Sequence, residues 1–99
     1  MARFDVYTFK GRAPLVVDVQ AELLARIGSR VIIPLLPSNS KTVSLPRLMP
    51  TVTLGGAEYQ LFTTDLVAVP SDRLGALIGN LEDQRQIIVD AIDFLLQGF

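Results

Sequence analysis

The sequence predicts a mainly β protein, a small and partly closed antiparallel barrel of the SH3-like kind, with one C-terminal α-helix. Six or seven short runs rich in β-branched and aromatic residues are separated by Gly, Pro, Asn and Ser, a pattern typical of strands joined by hairpins. The longest helical periodicity lies in the last eighteen residues. The chain has 99 residues, 49% of them hydrophobic, and no repeat divides it, so we expect a single domain over residues 1–99 with its own core.

The first half of the chain predicts three strands. The segments, in order, are strand Phe4–Phe9, strand Leu15–Val19, a turn or one irregular helical turn over Gln20–Ile27, and buried strand Arg30–Leu36. The first two strands form a hairpin around an exposed turn. Pro34 cannot donate to a strand ladder, so we place it at a strand end, an edge or a bulge. Asp18, in an otherwise apolar strand, is expected to cap a turn or pair across the sheet.

The second half begins with a Ser-, Asn- and Lys-rich loop over Pro37–Pro46. Three further strands are predicted: Thr51–Leu54, Glu58–Phe62 and Leu66–Val69. Gly55-Gly56 marks the hairpin between the first two of these, and Thr63–Asp65 breaks the chain before the third. The two glycines of Ser71–Asn80 disfavour a helix, so we expect a linking segment there.

The segment Glu82–Phe99 predicts an amphipathic helix with Asn80 capping its start and Gly98 ending it. A polar stripe consists of Gln86, Asp90, Asp93 and Gln97, spaced by four, three and four residues. These four side chains fall within an arc of about 60° on one side of a helix. The opposite side is apolar, so one face can be buried while the polar stripe stays in water.

Composition excludes several classes of function. The chain has no Cys and no His, which removes a thiol nucleophile, a disulfide framework, a thiolate zinc site and the commonest acid–base catalyst. Its net charge is −1 and its basic residues are dispersed, which disfavours nucleic acid as the primary partner. No apolar run could span a bilayer and no export signal is present. We therefore expect a cytoplasmic protein that needs no cofactor or metal and binds no membrane. An enzyme of this composition would have to rely on Asp, Glu, Lys, Arg, Tyr, Ser or Thr, which is uncommon.

Several fragments resemble one known family when taken in order. They are Phe4-Asp5-Val6-Tyr7, Val17-Asp18-Val19-Gln20, Val31-Ile32-Ile33-Pro34-Leu35, Pro50-Thr51-Val52, Thr63-Thr64-Asp65, Val69-Pro70 and Ala91-Ile92-Asp93-Phe94-Leu95 with Gly98. Their order and spacing resemble those of the CcdB toxins over essentially the whole chain.

The resemblance implies a homodimer with an SH3-like barrel that binds the A subunit of DNA gyrase and is not itself an enzyme. Such a toxin holds the gyrase complex with cleaved DNA and blocks religation, so DNA is contacted only through gyrase or through the antitoxin complex. A cognate, CcdA-like antitoxin whose disordered segment folds on binding would neutralise it.

The resemblance also assigns the gyrase-binding residues. They are Gln86, Asp90, Asp93, Gln97, Gly98 and Phe99, with Leu23 and Leu24 extending the surface. The best-known members end in Trp-Gly-Ile, whereas this chain ends in Gln97-Gly98-Phe99. A buried Trp anchor contributes about 2 kcal/mol or more to binding, and Phe99 offers an aromatic ring two residues on.

Three other interpretations stay open. The amphipathic helix could simply pack on the sheet, as most terminal helices do. The related MazF-type toxins share the barrel and cleave RNA, which makes an endoribonuclease the enzymatic alternative; the near-neutral charge counts against it. A non-toxic homologue that only binds an antitoxin is the third.

Overall fold

The computed structural model describes residues 2–10, 15–21, 28–38 and 45–98. Within them lie strands β1 (Asp5–Phe9), β2 (Leu15–Asp18), β3 (Ser29–Pro37), β4 (Thr51–Leu54), β5 (Ala57–Leu61), β6 (Val67–Pro70) and β7 (Leu74–Asn80), and helix α1 (Arg85–Gln97). The mainly β fold with a C-terminal helix is confirmed. Leu23, Leu24 and Phe99 lie outside the described residues, as do most of the predicted turn Gln20–Ile27 and of the loop Pro37–Pro46.

The strands form one antiparallel sheet in the order β4-β5-β3-β2-β1-β7, and β6 pairs with β3 off this path. The sheet curls into a half-barrel, as predicted. The predicted hairpin of β1 and β2 is present, with Val6 opposite Val17. The β4–β5 hairpin turns at Gly55 and Gly56, whose φ angles of 59° and 81° are both left-handed. Two positive φ angles define the type I′ turn, which suits the twist of a hairpin and favours glycine.

Pro34 lies inside β3, not at its end. On one side of β3, Pro34 is opposite Val16 of β2. On the other side, β6 pairs only as far as Ile32 and β5 begins only at Leu35, so the two strands leave a gap beside Pro34. The Pro34 carbonyl accepts a hydrogen bond from the Phe62 N–H at 3.0 Å across that gap. The imide nitrogen of Pro34 points to the same side, so its missing N–H removes no ladder hydrogen bond.

The prediction of a linking segment over Ser71–Asn80 is wrong, because Leu74–Asn80 forms edge strand β7 against β1. The sequence of β7 does not alternate between apolar and polar residues, because apolar side chains also occupy its exposed positions. Leu77, for example, is 61% exposed. Close packing against β1 explains the glycine at position 75. A Cβ there would meet the hydroxyl of Thr8, which accepts a hydrogen bond from the Ala76 N–H at 2.8 Å. The glycine that disfavours a helix thus permits close contact between two strands.

The helix packs on one face of the sheet and a second apolar cluster covers the other. Leu81, Ile88 and Ala91 are buried against strand residues that include Val17 and Ile33. On the opposite face, a smaller cluster consists of Tyr7, Val16, Ile32 and Leu74. Successive residues of a strand point to opposite faces, so β2 and β3 contribute to both clusters. No described helix is both long enough and apolar enough to cross a membrane.

An ion pair is buried on the face of the second cluster. Asp18 and Arg30 are both 0% exposed, and the carboxylate Oδ2 accepts from Nε of Arg30 at 2.7 Å and lies 2.6 Å from Nη2. Oδ1 of Asp18 accepts from the Gln20 N–H at 3.0 Å. Burial raises the pKa of Asp18, and the hydrogen bonds from Arg30 and Gln20 offset only part of the rise. The structural role expected for Asp18 is confirmed.

Candidate partner-binding site

Helix α1 begins three residues later than predicted. Glu82–Gln84 form a 3₁₀ turn, and α1 follows from Arg85. Asn80 does not cap α1 as predicted, because the N-cap residue of α1 is Gln84 and that of the 3₁₀ turn is Leu81. The Asn80 Oδ1 instead accepts from the Glu82 N–H at 2.7 Å and so stabilises the start of the 3₁₀ turn. At the other end Gly98 has a φ of 80° and its N–H donates to the Phe94 carbonyl at 2.8 Å, as a left-handed cap requires.

The side chain of Gln84 ties the start of α1 to the edge of the sheet. Its Nε2 donates to the Thr53 carbonyl at 2.6 Å, and its Oε1 accepts from the Thr53 N–H at 2.8 Å. A side-chain amide thus pairs with β4 as a neighbouring strand would. This fixes the helix against the sheet and covers part of an open strand edge.

A second connection runs from β1 to the 3₁₀ turn. Asp5 accepts hydrogen bonds from Asn80 at 2.9 Å, from the Ala2 N–H at 2.8 Å and from the Tyr7 hydroxyl at 3.2 Å. Burial alone would raise the pKa of Asp5, but these hydrogen bonds outweigh it and lower the pKa. Burial, together with the adjacent Asp5 carboxylate, raises the pKa of Tyr7 to about 12. The position of α1 is therefore determined by strands β1, β4 and β7 together.

The polar stripe lies on the solvent side of α1. Gln86, Asp90, Asp93 and Gln97 are all exposed, and exposed Gly98 follows them. Gln86 Nε2 donates to Oδ1 of Asp90 at 2.7 Å, which links two members one turn apart. The placement predicted from helical spacing is confirmed; the role of these residues in binding stays a prediction.

A cleft runs beside the polar stripe, between α1 and the segment Pro46–Pro50. Its volume is ≈ 420 Å³. Its lining residues are Pro46, Arg47, Pro50, Ile87, Asp90, Ala91 and Asp93. The guanidinium of Arg47 lies over the ring of Phe94, 4.0 Å from its centroid, which holds the segment against the helix by a cation–π contact. Two members of the polar stripe therefore also form a wall of a cleft.

Sequence reasoning missed this cleft. Helical spacing identifies Asp90 and Asp93, but nothing in the linear sequence brings Arg47 to Phe94. The sequence places Arg30 at the start of the predicted buried strand Arg30–Leu36, but nothing in the linear sequence pairs it with Asp18. In the structure Arg30 is fully buried in that pair.

Among the described residues, no group of three or more His, Cys, Asp or Glu side chains could hold a metal ion. The Asp18–Arg30 pair combines an acid with a strong donor, but both side chains are completely buried and out of reach of a substrate. The exposed Asp90 and Asp93 belong to no ion pair within the described part of the chain. The surface around α1 is suited to recognition by hydrogen bonds and charge.

Solved structures of other proteins share this fold. An endoribonuclease in complex with its cognate antitoxin, from a mycobacterial species, matches with a TM-score of 0.79 at 16% identity over 97% of this chain and 94% of that chain. A second mycobacterial endoribonuclease matches with a TM-score of 0.77 at 17% identity over 97% of this chain and 90% of that chain. The likeness establishes the fold class, a half-barrel with a C-terminal helix that is also the fold of these two proteins.

The family follows from the sequence match. The family model described as "CcdB protein" matches residues 3–98. The chain belongs to the CcdB family, the toxins of toxin–antitoxin pairs. The resemblance noted above is confirmed, and the match spans α1 with the whole polar stripe.

Proposed function

We propose that this protein binds the A subunit of DNA gyrase through the polar stripe of α1 and holds the gyrase complex with cleaved DNA. The observation that carries the proposal is the exposed row Gln86, Asp90, Asp93 and Gln97 on the C-terminal helix of a CcdB family member. Amides and carboxylates in a row can hydrogen-bond or pair with basic side chains of a target. The protein itself makes and breaks no bond; it acts by binding, without metal or cofactor.

The proposed active form is a homodimer. Two copies of the polar stripe related by a two-fold axis would match the two A subunits of gyrase, since a symmetric ligand meets a symmetric target with equivalent contacts. Exposed apolar side chains support self-association, because Leu96 is 73% exposed and Ile78 49% exposed. Gly98, Phe99, Leu23 and Leu24 extend the proposed gyrase surface.

A cognate, CcdA-like antitoxin is the proposed regulator, and the cytoplasm is the proposed compartment, since both gyrase and its DNA are there. Membership of a toxin family supports the antitoxin, as does the neighbour of the same fold described in complex with its own antitoxin. A disordered antitoxin segment that folds on the toxin would compete with gyrase for the surface around α1.

Incubation of the purified protein with gyrase, ATP and plasmid DNA tests the proposal. Denaturing the products should release linear plasmid. Deletion of Gln97–Phe99 should abolish the linear product, because the end of the polar stripe is lost. Glu58→Ala is the control, because Glu58 is exposed on the β4–β5 hairpin, whereas nearby Gln60 is buried. Linear product that is absent with the intact protein, or retained after the deletion, contradicts the proposal.

An endoribonuclease is the second candidate, favoured by the two mycobacterial endoribonucleases of the same fold. At 16% and 17% identity that likeness concerns the fold. RNA incubated with the purified protein should stay intact under the gyrase proposal; specific cleavage would favour the enzyme. A protein that does neither, yet binds its antitoxin, would be a non-toxic homologue.

A further inference from the structure

We infer that the cleft between α1 and Pro46–Pro50 is part of the target-binding surface, and that it receives an apolar side chain of the partner with an arginine or lysine beside it. The inference rests on the proposed function, because Asp90 and Asp93 belong both to the polar stripe and to the cleft. A protein surface that covers the polar stripe would lie over the mouth of the cleft as well.

The floor and walls of the cleft are suited to an apolar side chain. Ile87 is 40% exposed and lies in the cleft beside buried Ala91, and Pro46 and Pro50 form the facing wall. Exposed apolar surface in a concave site loses water favourably when a partner side chain enters it. At ≈ 420 Å³ the cleft falls within the range of about 300–1,000 Å³ found for binding pockets, which is enough for one side chain.

The rim of the cleft favours a positive charge. Asp90 and Asp93 supply two carboxylates that have no ion-pair partner in the described part of the chain. Arg47 supplies one positive charge, and its guanidinium lies over Phe94. The lining therefore carries one excess negative charge, which a basic side chain of the partner would neutralise. Arg47 acts as a positioning residue, since it holds the proline wall at the helix.

The charge of the rim can be removed without disturbing the helix. Gln86 donates to Oδ1 of Asp90, and the carboxamide oxygen of asparagine can accept the same hydrogen bond. Asp90→Asn with Asp93→Asn therefore changes charge alone. Asp65→Asn with Asp72→Asn is the matched control, because both residues are exposed and lie outside α1.

Binding of each variant to purified gyrase A subunit is measured at about 0.1 M and about 1 M salt, where the Debye length falls from about 10 Å to about 3 Å. We expect the double variant on α1 to bind about tenfold more weakly at low salt and to lose most of its salt dependence. The control should stay within about twofold of the original protein. Equal affinity and salt dependence for the α1 variant would overturn the inference and leave the proposed function standing.

The apolar part is tested by Ile87→Ala against Val67→Ala, since Val67 on β6 is similarly exposed, at 46%. We expect Ile87→Ala to weaken binding about threefold to tenfold and Val67→Ala to leave it unchanged. Equal effects of the two variants would refute a specific apolar contact in the cleft. If the original protein fails to bind gyrase A at all, the proposed function and this inference fail together.

Discussion

Asp18→Asn tests whether the buried ion pair stabilises the sheet. The asparagine keeps the shape of the side chain and can still accept the Gln20 N–H through Oδ1, so the change removes the charge that faces Arg30. The Arg30 guanidinium is completely buried, and its Nη1 has no hydrogen-bond partner among the described residues. The variant therefore leaves an uncompensated charge in the interior.

Removing one partner of a buried ion pair costs about 3–5 kcal/mol. We expect Asp18→Asn to lower the free energy of unfolding by about 4 kcal/mol, because Asp18 supplies both close contacts of the guanidinium, at 2.6 and 2.7 Å. Urea unfolding followed by circular dichroism at one fixed protein concentration measures the loss. Asp18→Leu with Arg30→Met should recover most of it, since an apolar pair of similar volume is often as stable as a buried ion pair.

Arg30→Met adds a test with a defined sign. Burial raises the pKa of Asp18 above its unfolded value, and loss of the guanidinium raises it further. The folded state then binds a proton more readily than the unfolded state. In Arg30→Met, the contribution of Asp18 to the free energy of unfolding is fully present below the pKa that Asp18 has in the unfolded chain. It is lost as the pH rises through the pKa of Asp18 in the folded protein, by at most about 1.4 kcal/mol per pH unit. A loss below about 1 kcal/mol for Asp18→Asn, or a double variant worse than either single one, would refute the reasoning.

Three further changes have defined outcomes. Gln84→Ala should cost about 1–2 kcal/mol in urea unfolding, because two hydrogen bonds to the edge strand are lost, whereas exposed Gln86→Ala should cost less than about 0.5 kcal/mol. Tyr7→Phe should remove the component with a pKa of about 12 from the alkaline titration of tyrosine absorbance. In the original protein, the contribution of Tyr7 to the free energy of unfolding is fully present below about pH 10 and is lost as the pH rises through the folded pKa. Gly75→Ala should cost about 1–3 kcal/mol in urea unfolding, because its Cβ meets the Thr8 hydroxyl.

Each of these has its own contrary result. Equal losses for Gln84→Ala and Gln86→Ala would mean that the amide contact with β4 contributes nothing. If Tyr7→Phe removes a component near the ordinary tyrosine pKa of about 10 and leaves the one at about 12, the hydrogen-bonded, buried phenol is refuted. For Gly75→Ala, Thr8→Ala in the same chain should restore part of the stability, and no restoration would place the clash elsewhere.

Local pattern was enough to predict most elements. Alternating residues in β1 and β2, the glycine pair of the β4–β5 hairpin and the helical spacing of α1 depend on neighbours a few residues away. The same local spacing identified the polar stripe, because side chains four and three residues apart on a helix share a side whatever the rest of the chain does. The order of short motifs along the chain was enough to indicate the CcdB family.

Errors arose where distant contacts decide the conformation. Thr8 of β1 occupies the space that a side chain at position 75 would need. The glycine in β7 is therefore explained only by its pairing with β1, at the other end of the sequence. Pro34 is tolerated within β3 because two other strands leave a gap beside it. In both cases the residue type disfavours the observed structure locally, and packing reverses the preference.

Patterns within the chain were sufficient to predict a β fold with a C-terminal amphipathic helix and the row of amides and carboxylates on that helix. The buried Asp18–Arg30 pair, the attachment of Gln84 to β4 and the cleft between Pro46–Pro50 and α1 became visible only in the folded molecule. The two groups of features depend on contacts of different range along the chain. Backbone periodicity is set by adjacent residues, whereas a charge is buried or a cleft formed only when segments remote in the chain come into contact.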